Sequence, residues 1–219
     1  MIEWADAHDW ARETRRSVYA SLRGFYRWAV EVGVCGDDPT DVLPTVKPGP
    51  ACPRPAPEDV YAEAIRTQDA RARVILRLAG EAGLRRGEIA VVAREDLIRD
   101  LSGISLLVHG KGERDRRVPL SDSLAREVVG YLGEGRYLLP SPTGGHLTPR
   151  HVGKIGAGVL PQGYTLHTLR HRFATTAHAG TRDLIVVQRL LGHSSVATTQ
   201  RYVASSDDAM RQAVIVAAV

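Results

Sequence analysis

Residues 165–177 read TLHTLRHRFATTA, which puts His167, Arg170, His171 and Arg172 within six positions of one helical segment. Histidine and arginine are poor core residues, and crowded cations repel unless something negative sits among them. The segment is therefore either a solvated basic helix face or a helix built around an anion. The rest of the chain decides between the two.

A chain of 219 residues can bury a sizeable core in one or two domains. Its 43% hydrophobic and 25% charged content is ordinary for a globular protein. The longest apolar tract, AVIVAAV at residues 213–219, is far too short to span a bilayer. The start, MIEWADAHDW, has acids where a secretory leader carries bases. Cys35 and Cys52 are too few for a disulfide framework or a zinc site. The expectation is a reduced, cytoplasmic protein with no membrane partner. Charge is uneven along the chain. Residues 1–57 hold seven Lys and Arg against eight Asp and Glu, and the remainder holds 22 against 17. A basic excess confined to one part of the chain points to a nucleic acid partner.

Residues 44–57, PTVKPGPACPRPAP, contain six of the twelve prolines and read as an extended linker. Before it, at about residues 14–33, Val18, Leu22, Phe25, Tyr26, Ala29 and Val30 recur at helical spacing. Thr14 can cap that helix and Gly33 can end it. Arg16, Arg23 and Arg27 lie off the stripe. Six of the twelve aromatics fall before residue 29, more than one helix can bury alone. This part reads as the end of a larger helical domain, or as a piece that docks on another surface. After the linker, 58–66 and 69–80 scan as helices, with a turn at Gly83. The branched, alternating ISLLVHG (104–110) and the later ERDRRVPL flank Lys111-Gly112 and read as a β-hairpin. Ser121 and Thr148-Pro149 open two further helices. The segment 166–178 is helical with a stop at Gly180, DLIVVQRLLG ends at Gly192, and Ser195 can cap a last short helix. The expected class is mainly α with a small antiparallel β-sheet (α+β).

Five short motifs carry chemistry-bearing residues: GLRRGE with Arg85 and Glu88, HGKGERDRR with Lys111, HTLRH with His167 and Arg170, LLGHSS with His193, and TTQRYV with Tyr202. Singly, each has an ordinary explanation. Arg85 suits a helix surface, Gly-Lys-Gly a tight turn, His193 a helix C-terminus, and Tyr202 a half-buried aromatic. Together, in this order, with His193 following Arg170 by 23 residues and Tyr202 following His193 by nine, they resemble the tyrosine recombinase (phage integrase) family. The likeness covers residues 58–219, and residues 1–43 resemble the end of that family's helical core-binding domain.

The resemblance implies a catalytic domain of the tyrosine recombinase and type IB topoisomerase kind at 58–219, a linker at 44–57, and a partial core-binding domain at 1–43. It implies Arg85, Lys111, His167, Arg170, His193 and Tyr202 as catalytic residues, with Glu88 and His171 supporting them. Arg16, Arg23, Arg27, Arg86, Arg114 and Arg172 are the candidate contacts to DNA phosphates. The implied partners are double-stranded DNA at an attachment core site and a homotetramer on paired sites, with the tail AMRQAVIVAAV exchanged in trans. No metal or other cofactor is implied. Elementary chemistry suits the set. A phenol of pKa ~10 is a poor nucleophile until cations stabilise it. Paired arginine forks can hold both non-bridging oxygens of a phosphate, and a lysine can protonate the leaving oxygen. A phosphate is then the missing anion of the 165–177 helix.

Three other readings fit parts of the pattern. His167 and His171 at i and i+4 have a zinc-binding spacing, but no Glu follows His167 and two arginines adjoin it. A binding-only relative would hold DNA without cutting it. A type IB topoisomerase would relax one duplex without a second. Fewer residues precede the linker than the resemblance leads one to expect, so the chain reads as shortened or truncated, with DNA binding that weakens steeply with salt. The Ala, Arg, Gly and Val bias suggests a GC-rich actinobacterial phage or prophage.

Overall fold

The computed structural model describes residues 3–4, 7–49, 54–110 and 115–192. The chain divides into two compact units, Met1–Cys52 and Pro53–Val219. Lys111, Arg114, His193, Tyr202, the helix expected after Ser195 and the C-terminal tail lie outside the described residues.

The smaller unit is built on α1 (Arg12–Glu31). Its helix starts two residues before Thr14, which is therefore an interior residue and not the cap. Glu13 in the first turn complements the positive end of the helix dipole. The helix ends at Val32, whose N–H donates to the Trp28 carbonyl, and Gly33 turns the chain at φ 76°. Tyr19 and Ala29 are buried, with Trp10, Val18, Leu22, Leu43 and Val46 around Tyr19. The expected stripe is corrected here. Phe25 stands 54% exposed with its ring edge against Tyr26, and Trp28 is 51% exposed. Two of the three arginines off the stripe have partners within this unit. Arg16 pairs with Glu13 at 2.9 Å, and Arg23 donates to the Leu43 carbonyl at 2.6 Å.

In the larger unit, α2 (Glu58–Ala64) and α3 (Ala70–Glu81) lead to α4 (Arg86–Val91) and a 3-10 turn (Arg94–Asp96). Then come β1 (Leu97–Asp100), β2 (Gly103–Val108), β3 (Arg116–Pro119), α5 (Asp122–Leu132), α6 (Pro149–Val159), α7 (Leu166–Thr181) and α8 (Leu184–Leu191). Helix α3 is the central rod. Val74, Ile75, Leu76, Leu78 and Ala79 are fully buried, and α5, α6 and α7 pack around them. The capping chemistry is local and conventional. Asp69 accepts from Arg71 and Ala72, Ser121 from Leu124, Thr148 from His151 with Pro149 in the first turn, and Asp183 from Ile185 and Val186.

The hairpin β2–β3 is antiparallel, with Leu106 opposite Val118 and Val108 opposite Arg116. A third strand extends it. β1 pairs antiparallel with β2, Leu97 opposite Leu106, through a two-residue turn closed by Gly103 at φ 122°. The fold is thus mainly helical with a three-stranded antiparallel sheet in the order β1-β2-β3. One boundary differs from the sequence expectation. Helix α7 runs through Gly180 and ends where Arg182 takes a left-handed conformation (φ 52°), because Asp183 caps the next helix at once. Gly83, at φ 67° between α3 and α4, is packed so closely that a Cβ there would lie 2.4 Å from the Phe173 ring. That contact holds the turn leading to Arg85 against α7. Among the described residues no helix is long and apolar enough to cross a membrane.

Candidate active site

The larger unit carries an open basin of about 1440 Å³, walled by the start of α4, the β2 and β3 ends, one face of α6, the start of α7 and the end of α8. This exceeds the roughly 300–1,000 Å³ of ordinary small-molecule pockets, and it suits a polymer better than a metabolite. Among the described residues its lining includes Arg85, Arg86, Arg116, Arg150, Lys154, Arg170 and His167, against a single acid, Glu88.

Glu88 organises the floor. It sits in the first turn of α4, where its Oε2 accepts the Arg85 backbone N–H at 2.7 Å and its Oε1 the Arg85 guanidinium at 2.8 Å. From β3, Arg116 donates end-on to both oxygens at 2.9 Å each. The Arg170 guanidinium lies 3.7 Å away. Burial opposes ionisation of Glu88, but the hydrogen bonds and charges of Arg116 and Arg85 outweigh it and hold the carboxyl at about 2.

That shift makes a pH prediction. A carboxylate held below its usual value contributes stability that is complete above the unfolded value near 4.5 and is lost as pH falls toward about 2. The melting temperature of the larger unit is expected to drop across this window. The drop should be shallower in a Glu88→Gln variant, as read from thermal unfolding at a series of pH values.

The same arginines hold the end of α8. Arg170, 2% exposed, donates to the Leu191 carbonyl at 2.7 Å and to the Gly83 carbonyl. Arg116 Nε donates to the Leu190 carbonyl at 2.7 Å, and Arg85 reaches the Leu191 carbonyl at 3.4 Å. A helix C-terminus leaves carbonyls without intrahelical partners and carries partial negative charge, so guanidinium groups suit it. Gly192 turns the chain at φ 63° directly over Arg116, whose guanidinium would lie 2.9 Å from any Cβ there. The residue after it is His193.

His167 stands at the start of α7, where Thr165 caps the helix and accepts the His167 N–H. Its Nε2 lies 2.9 Å from His171 Nε2, so a proton on one ring is shared with the bare nitrogen of the other. Desolvation first, then the charges of Arg170 and Arg85, keeps the His167 imidazole below the ordinary histidine range. Desolvation with the neighbouring His167 and Arg170 takes His171 down to about 4. Both rings are therefore largely neutral at pH 7. Among the described residues no group of three His, Cys, Asp or Glu side chains converges as a metal site.

Arg85, Glu88, His167, Arg170, His171 and Arg86 are thus brought to one end of the unit. Arg172 lies on α7 with its side chain 13% exposed. It grips Glu58 with two bonds of 2.8 and 2.7 Å, donates to the Gly80 carbonyl, and lies 3.9 Å over the Tyr61 ring. These contacts tie α7 to α2 and α3. Sequence reasoning passed over Arg116, His109, Arg150 and Lys154. The last two stand at i and i+4 behind the Thr148-Pro149 start, a spacing that could have put them on one face.

A helical unit with a three-stranded sheet of this order is the fold of tyrosine recombinase catalytic domains. The post-cleavage complex of XerH site-specific recombinase on a palindromic difH substrate matches 94% of this chain and 65% of its own at a TM-score of 0.72, with 21% identity. The integrase from mycobacterium phage Brujita covers 96% of this chain and 74% of its own at a TM-score of 0.57 and 26% identity. Tyrosine recombinase XerD from Caulobacter vibrioides is 34% identical over 208 residues, 84% of this chain and 68% of that protein. The phage integrase family model matches residues 58–209, and the chain belongs to that family. It spans about two thirds of the length of the XerD relative.

Proposed function

We propose that the chain is a site-specific DNA recombinase that cleaves and rejoins strands through a 3′-phosphotyrosyl intermediate, integrating or excising phage DNA. The observation that carries this reading is the basin in which Arg85, Arg170 and His167 line one wall around the buried Glu88. Such an array stabilises the negative charge that gathers on a phosphate under attack. The Tyr202 oxygen attacks phosphorus and the bond to the 5′ oxygen breaks. The phenol proton passes to the neutral His167 imidazole, and Lys111 gives a proton to the departing oxygen. His193 donates a hydrogen bond to a non-bridging oxygen. A 5′-hydroxyl of a second duplex reverses these steps. One phosphoester replaces another throughout, so the chemistry calls for neither ATP nor a metal.

The partner in this reading is a double-stranded attachment core site, bound by a tetramer with tails exchanged between protomers, in the cytoplasm of a bacterial host. Residues 1–43 are the end of a core-binding domain and 44–57 its linker. The Brujita integrase, with 26% identity over most of the chain, supports an actinobacterial phage or prophage origin.

The test is covalent capture from a pool of nicked duplexes with randomised cores, read on a denaturing gel with and without EDTA. The native chain is expected to give an EDTA-resistant adduct and Tyr202→Phe none. An adduct that survives Tyr202→Phe overturns the assignment. DNA binding without any adduct favours a binding-only relative.

A further inference from the structure

At the mouth of the hairpin, just beyond the last β2–β3 pair of Val108 with Arg116, the His109 ring lies between two carboxylates. Its Nε2 is 2.8 Å from Asp96 Oδ1 and its Nδ1 is 3.0 Å from Asp115 Oδ2. Ionised carboxylates only accept, so both ring nitrogens must donate, and the ring that fits this place is the imidazolium. Asp96 is buried and anchored, its second oxygen accepting the Ala93 N–H at 2.8 Å. Asp115 also accepts from Gly110 N–H, at 3.3 Å. Among the described residues the other charges nearby are already committed. Arg116 and Arg85 are paired with Glu88, Arg94 donates to the Gly133 and Gly135 carbonyls, and Glu95 pairs with Arg136. His109 is therefore the cation that Asp96 and Asp115 share.

We propose that His109, held as an imidazolium between Asp96 and Asp115, is a positioning residue for strand cleavage. It ties the outgoing end of β2 and the incoming end of β3 to the turn before β1, and so sets the base from which Lys111 reaches the leaving oxygen. The inference rests on the reading of Lys111 as the proton donor. Its consequence is specific to one step. Loss of the clamp misplaces the acid and leaves the phosphate-holding arginines and the nucleophile where they are. The clamp is complete below the ordinary histidine value while both carboxylates stay ionised, and it is lost as pH rises through the His109 value, which hydrogen bonding to Asp96 and then Asp115 raises above the ordinary histidine range despite partial desolvation.

The experiment compares two probes of one sequence taken from the covalent-capture pool. One has the natural 5′ oxygen at the scissile position and the other a bridging sulfur, which departs without protonation. On oxygen, His109→Gln and Asp115→Asn are each expected to slow adduct formation by about tenfold to a hundredfold, the scale of a small misplacement of a reacting group. On sulfur both return to the native rate, as Lys111→Ala does. If the clamp variants stay slow on sulfur while Lys111→Ala recovers, His109 is merely structural and the proposal is overturned. Native rates for His109→Gln on both probes overturn it equally. If Lys111→Ala itself fails to recover, the assignment of Lys111 is what fails. Nitrogen NMR of the full chain checks the ring without DNA. Both His109 nitrogens should carry protons just below the ordinary histidine value, and a neutral ring there overturns the clamp.

Discussion

Replacing Arg116 with methionine is expected to destabilise the larger unit by about 3–5 kcal/mol, the usual cost of removing one partner of a buried ion pair. Arg116 and Glu88 are each 8% exposed and meet fork to fork. Arg116 also satisfies the Leu190 carbonyl, which methionine leaves unpaired. The loss is to be read as a shift of the urea midpoint at pH 7. Glu88→Leu alone leaves the buried Arg116 without its carboxylate and should cost a similar amount. The double variant has neither charge, so it should be clearly more stable than the two losses added. If the two losses add within about 0.5 kcal/mol, Glu88 and Arg116 are not coupled and the floor of the basin is held otherwise.

Arg170→Lys is expected to slow single-turnover adduct formation by about 10²–10³-fold, as loss of one fixed donor to a developing oxyanion does. Lysine keeps the charge. It is a point donor on a flexible stem, and it cannot bridge the Gly83 and Leu191 carbonyls as the planar fork does. The turn before Arg85 and the end of α8 would then lose their shared anchor, just ahead of His193. A rate within threefold of the native chain would show that charge alone suffices at this position.

Much of the candidate site was legible along the chain because its residues fall in short motifs of ordered spacing. GLRRGE sets Glu88 one turn after Arg85, and a carboxylate at the third helical position reaches back to the backbone ahead of it, as it does here. HTLRH puts His167 and His171 on one face, and their rings meet. Arg116 was not legible. It lies in a run of arginines, and nothing local distinguishes the one whose partner is 28 positions earlier from Arg117, which pairs on the surface with Asp100. The partner of Arg172 was hidden for the same reason, since Glu58 lies 114 positions away. His109 was passed over because Asp96 lies 13 positions before it and Asp115 beyond the hairpin tip.

The sequence by itself determined most of the described helices, several of their caps, the hairpin and the family. These depend on periodicity and on contacts within one or two turns, and Ser121, Thr148-Pro149 and Gly192 act only on their neighbours. It did not determine β1. LIRD is short and ends in charge, and it becomes a strand only because β2 presents free backbone groups beside it. Nor did it determine which arginines line the basin and which brace the fold. A guanidinium serves either purpose, and the choice is made by whichever acid or carbonyl the folded chain brings within three ångströms of it.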